Sequence, residues 1–149
     1  ATEADAFQAE CLVLEGRGLE ALTLADRLVQ GPGQSPGERY LPLLHRVRGY
    51  ALLQSGDLES AAKAFEESRG GASAQKLDYE LAMTMVALAT LARLRGELDT
   101  ADDMTRTVES LMDRLGIVYL PHVPLGESES LAKVAGTASG PVDVASAPA

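Results

Sequence analysis

A period of 40 residues in the placement of small side chains constrains this chain more than any other feature. Gly56-Asp57-Leu58-Glu59-Ser60-Ala61 superimposes on Gly96-Glu97-Leu98-Asp99-Thr100-Ala101, and one period earlier stand Gly16, Glu20 and Ala21. Gly16, Gly56 and Gly96 therefore share a column, as do Ala21, Ala61 and Ala101. Ala9, Gly49 and Ala89 form another, and Leu12, Leu52 and Ala92 one more. Self-similarity at a fixed period of this length marks stacked units, each too small to bury its own apolar face.

Each column has a physical reason. A glycine that closes a helix takes up the left-handed conformation that a side chain disfavours. The acids that follow it in units two and three stand at the start of the next helix, where the dipole favours negative charge. Small residues at 9, 49 and 89, and at 21, 61 and 101, let two helices approach closely; enlarging them by several methylenes should cost about 1–3 kcal/mol. Within the units the apolar spacing is helical. Leu98, Ala101, Met104, Val108, Leu111, Met112 and Leu115 mark one stripe, and Leu77, Leu81, Met85, Leu88 and Ala92 another. Leu41, Leu44, Val47, Ala51 and Leu52 mark a third. The pattern predicts helices over 2–15, 19–30, 40–55, 58–69, 75–95 and 98–115. Breakers separate the units at Gly31-Pro32-Gly33-Gln34-Ser35-Pro36-Gly37 and at Gly70-Gly71-Ala72-Ser73. The expected domain is 1–120, in units 1–40, 41–80 and 81–120, followed by a cap and flexible tail over 121–149.

Composition agrees with close helix packing. Apolar residues make up 46% of 149, yet aromatics only 4%, so Ala and Leu carry the core. The net charge is −9 and no unit has a basic excess, which argues against a nucleic-acid partner for this segment. One cysteine, Cys11, excludes an internal disulfide. There is no signal-peptide pattern and no apolar run of membrane-spanning length. A soluble cytoplasmic protein is expected. The start at Ala1 reads as a processed product or a piece of a longer polypeptide.

The run from Gly49 to Phe65 carries the small residue, helix-closing Gly56, acid Asp57, small Ala61 and large aromatic Phe65, in the order of a tetratricopeptide-type repeat, which the chain resembles. Unit three has Thr105 and unit one Ala25 in the aromatic column, and the unit-closing proline is absent. The longer period is similar to the repeats of large bacterial signalling ATPases and transcription activators, including maltose-regulon activators and cyclase-associated ATPases. Those repeats follow a nucleotide-binding switch domain and sense a ligand or recruit a partner. The resemblance covers residues 2–120. It implies an all-α fold, a right-handed superhelix of three antiparallel helix pairs with an irregular C-terminal cap. It also implies a non-catalytic scaffold or sensor module.

Carried over by register, the inner face of such a superhelix takes Glu3, Ala6, Glu10, Val13 and Leu14 from unit one. Unit two supplies Leu43, Arg46, Tyr50, Leu53 and Gln54, and unit three Met83, Val86, Thr90, Arg93 and Leu94. Arg46, Tyr50, Gln54, Thr90 and Arg93 are the candidate partner-binding residues, because guanidinium groups can hold a peptide carboxylate through two parallel hydrogen bonds. The competing interpretation makes Arg46 and Arg93 solvated helix residues. His45, His122 and Cys11 lack metal-ligand spacing, and the acid pairs Glu66-Glu67 and Asp102-Asp103 diverge by about 100° around a helix. Gly31-Pro32-Gly33 lacks the lysine of a phosphate loop. No catalytic residue, metal or cofactor is expected.

The apolar, proline-punctuated stretch 117–125 is expected to fold back on the last helix pair as a cap, or to lie in a groove. Residues 127–134 read as a short helix and 136–149 as a flexible terminus. Three functions fit: a protein- or peptide-binding module, a self-association unit that dimerises through its terminal faces, and a small-molecule sensor. An open channel would suit a peptide, and a closed apolar hollow a small molecule.

Overall fold

The computed structural model describes residues 3–31, 37–134 and 142–143. Among the described residues the regular structure is helical apart from a two-residue strand pairing. Its elements are α1 (Glu3–Leu14), α2 (Gly18–Gln30), a 3-10 turn at Glu38–Tyr40, α3 (Leu41–Gln54), α4 (Leu58–Ala74), α5 (Asp78–Leu94) and α6 (Leu98–Leu115). The chain then forms β1 (Tyr119–Leu120), a 3-10 turn at Gly126–Ser128, α7 (Glu129–Val134) and β2 (Val142–Asp143), with β1 and β2 antiparallel. The expected linker residues 32–36 and the tail residues 135–141 and 144–149 lie outside the described residues.

One closure ends five of the six long helices, all but α2. At Gly56 the amide donates to the Leu53 carbonyl at 2.9 Å, and the Asp57 amide donates to the Leu52 carbonyl at 2.9 Å. The same pair of bonds forms at Gly16, Lys76, Gly96 and Gly116, and all five residues have positive φ. This is the Schellman arrangement, which satisfies carbonyls left over at a helix end. Lys76 is the one non-glycine among them, with φ 56°. The closures at 56, 76, 96 and 116 are 20 residues apart, so helix plus turn is the elementary step and the 40-residue unit is two of them.

The break expected at Gly70-Gly71 does not occur: α4 runs on to Ala74. Two helical glycines cost about 1 kcal/mol each relative to alanine, and tertiary contacts offset it. A Cβ on Gly71 would come within 3.1 Å of Pro42 Cγ, so its absence lets the start of α3 approach. One turn earlier, Ser68 Oγ donates to the Pro42 carbonyl at 2.7 Å.

Each helix packs on the next, from α1 on α2 through to α5 on α6. Ala21, Ala61 and Ala101 are fully buried, and Phe65 fills the space above Gly49, meeting Tyr50 edge to face at 5.1 Å between ring centroids. A Cβ on Gly49 would fall inside the Phe65 ring. The first helices lie side by side and run the same way, since Tyr40 meets Glu3, Arg46 meets Glu10, and Gln54 meets Val13. Together α1, α3 and α5 form one face. No helix among the described residues is long and apolar enough to cross a membrane.

Candidate functional site

Across the α1–α3–α5 face three zones succeed one another. The first, near the starts of the helices, is an open cleft of about 370 Å³. Phe7, Tyr40, Leu43, Leu77 and Tyr79 line it, together with the charged residues Arg39, Lys76, Asp78 and Glu80. Phe7 and Tyr40 meet edge to face at 6.0 Å, and the Tyr40 hydroxyl donates to the Glu3 carboxylate. That hydrogen bond holds the Tyr40 pKa above its ordinary value. Phe7 and Tyr79 remain largely exposed at 45% and 53%, so the cleft stands open rather than closing into a hollow. Arg39 and Lys76 form no ion pair among the described residues.

The second zone is a buried ion network. Arg46 is 3% exposed and bridges α1 and α5. Its Nη2 donates to Glu10 Oε1 at 2.7 Å and to Glu80 Oε1 at 3.2 Å, while Nε donates to Glu80 Oε2. Burial works against the guanidinium charge, but the two carboxylates outweigh it and the net shift is upward. Thr84 Oγ1 approaches Glu80 Oε2 at 3.5 Å and shares a 2.8 Å hydrogen bond with Ser68, which anchors the network to α4. One turn below, Tyr50 is 6% exposed, and burial pushes its hydroxyl up to about 12.

The third zone is filled by the chain itself. Arg114 Nη2 lies 3.4 Å from Asp78 Oδ2, so α6 ends beside the start of α5. Pro124, by contrast, sits at the far ends of α3 and α1, against Gln54 and Gly16. Residues 117–124 must therefore travel the length of the face: α5, with 17 residues, is about 25 Å long, and eight extended residues reach roughly 26–29 Å. Gln54 Nε2 donates to the Pro124 carbonyl at 2.9 Å and the Val13 carbonyl at 2.8 Å. Ser128 Oγ donates to the Leu53 carbonyl at 2.7 Å, and Gly126 lies directly on the Gln54 backbone, where a side chain would not fit. Leu120, Val123 and Leu125 are buried in the core. The segment expected to cap the last helix pair or to lie in a groove leaves α6 and reaches the far ends of α3 and α1. On α6 the outer residues Asp99, Asp103 and Thr107 are polar and exposed.

These positions revise the expected partner-binding set. Arg46, Tyr50 and Gln54 do line up along α3, but all three are buried, Gln54 at 8% exposure. Arg46 is neither free for a peptide carboxylate nor solvated, because Glu10 and Glu80 already hold it. Arg93 turns to α6, donating to Thr105 Oγ1 at 2.6 Å, and Thr90 is half-buried. No open basic patch unites the five. Sequence reading by register missed Phe7, Tyr40, Leu77 and Tyr79. The signal available was scarcity: the chain has two Phe and four Tyr, and three of those six gather at one cleft.

Among the described residues no group of His, Cys, Asp and Glu could hold a metal ion. His45 pairs instead with Glu67 at 3.1 Å, and Cys11 is exposed on α1. No protein-family model matches the chain, and no curated protein or solved structure matches it significantly.

Proposed function

We propose that this chain is a non-catalytic protein- or peptide-binding module of tetratricopeptide type, its helix pairs winding as a right-handed superhelix. In this reading the α1–α3–α5 face receives an extended segment of a partner. The cytoplasmic setting in a larger bacterial regulator, which the resemblance implies, belongs to the same proposal. One observation carries it: the face already holds an extended, proline-containing stretch of the chain's own tail through Gln54, beside an unfilled aromatic cleft. Buried groups that pair with a backbone carbonyl suit any extended peptide, and aromatic side chains half in solvent suit an apolar anchor. The cleft's openness favours a peptide over a small-molecule effector.

The test is selection of a random peptide library displayed on phage against the full chain, followed by titration of the enriched peptides. Tyr79→Ala removes an exposed ring and should leave folding intact. It should weaken binding by roughly 10–100-fold, the equivalent of one buried apolar anchor at about 1.5–3 kcal/mol. Enriched peptides that bind the Tyr79→Ala and Phe7→Ala variants as tightly as the parent chain would refute this site.

A further inference from the structure

The three units agree closely in register, so a position where one departs from the other two carries information. On the outer face of α4 stand Glu59, Lys63 and Glu67, and on that of α6 Asp99, Asp103 and Thr107, all exposed. The equivalent positions of α2 are Leu19, Thr23 and Arg27. Leu19 is 81% exposed where the other units have an acid. It does not stand alone: Leu12, Leu19, Thr23 and Leu24 line a shallow groove of about 410 Å³ between α1 and α2, with Gln8, Glu20 and Arg27 around it.

The α1 side of that groove is also exceptional. Gln8 and Leu12 correspond to Arg48 and Leu52 of α3, and to Leu88 and Ala92 of α5. In unit two Arg48 Nε reaches back to Asp26 of α2 at 2.7 Å, and in unit three Leu88 and Ala92 are buried. Nothing among the described residues covers the corresponding surface of α1.

We infer that the α1–α2 groove is a self-association surface that takes a second copy of this chain across a twofold axis. The charges on α2 are arranged for it. Glu20 and Arg27 lie on the same face, seven residues and hence about 10 Å apart, with Thr23 and Leu24 midway. An antiparallel pairing of α2 with its copy, centred between Thr23 and Leu24, sets Glu20 of each chain opposite Arg27 of the other. A twofold interface requires this reciprocity. Arg27 has no ion pair within its own chain among the described residues, whereas Glu20 already accepts from Arg17 and would gain a second cation. The same axis buries Leu19 and Leu12 of both copies. The interface is independent of the aromatic cleft, which lies at the starts of α3 and α5.

Light scattering after size exclusion, run on the full chain from micromolar to submillimolar concentration, provides the test. The mass is expected to rise reversibly from 15.7 kDa to twice that value. Leu19→Glu installs the kind of residue that units two and three carry, so helicity should be kept and the concentration dependence lost. Arg27→Glu tests the charge pairing without touching the leucines: it should weaken the dimer, and adding Glu20→Arg should restore it in part. A chain that stays monomeric throughout overturns the inference, as does a dimer that survives both Leu19→Glu and Arg27→Glu. A dimer broken by Tyr79→Ala would move the interface to the cleft and equally overturn it.

Discussion

At Lys76 a lysine occupies the left-handed conformation that glycine fills at the four other closures. Its Cβ crowds the following carbonyl, at a cost of about 1–2 kcal/mol. Glycine avoids that crowding but loses more backbone entropy on folding, about 0.5–1 kcal/mol. The difference predicts that Lys76→Gly stabilises the protein by about 0.5–1 kcal/mol. Gly96→Ala should destabilise by a comparable amount, and it isolates the backbone effect because no atom lies within 4 Å of the added Cβ. Urea denaturation of the two variants would check both signs; a neutral Gly96→Ala would mean that the closure is not held in the left-handed state. Gly49 is a different case, since steric exclusion by Phe65 rather than φ demands it. Both kinds of glycine stand in columns of the repeat, and the columns separate them: the closing one is glycine in all three units, whereas the packing one admits Ala9 and Ala89.

Among the elements, the six long helices were legible from apolar spacing, because a 3.6-residue period is a property of neighbours along the chain. The end of α4 was not, because the helical state of Gly70-Gly71 depends on Pro42 and on Ser68 bonding across to it. The tail is the clearest instance. Its apolar, proline-rich sequence showed that it must be covered, but its path depends on Gln54 and Leu53, about 70 residues earlier. Deleting residues 117–149 removes Leu120, Val123 and Leu125 from the core, each worth about 1.5–3 kcal/mol at most. A lower melting temperature is therefore expected, by roughly 2–4 °C for each kcal/mol lost. An unchanged calorimetric trace would mean that the segment contributes no packing.

At the scale of the molecule, Glu10, Arg46 and Glu80 tie the first helices of the array together in one buried network. Repeat arrays are held by contacts between neighbours, and this contact couples three helices at once. Arg46→Ala would leave two carboxylates facing each other away from water. The expected loss is about 3–5 kcal/mol, because removal of one partner strands the buried charges. Arg46→Lys should recover only part of it, since a lysine has no planar fork to reach both carboxylates. Equilibrium unfolding in urea measures these losses; a cost below about 1 kcal/mol for Arg46→Ala would show that the network is as weak as a surface ion pair.

The amino-acid sequence by itself determined that this protein is helical, where most of its helices lie and where three of its closures fall. Those features follow from the spacing of side chains within a few residues and from the φ that a helix end requires. Tertiary structure alone decided that Arg46 is an interior cation rather than a binding residue, that the tail lies along the α1–α3–α5 face, and that three aromatics meet at a cleft. Glu10 and Glu80 stand 36 and 34 residues from Arg46. A charge on a helix surface looks the same along the chain whether solvent or two distant carboxylates face it, and only the packed fold brings those carboxylates within hydrogen-bond reach.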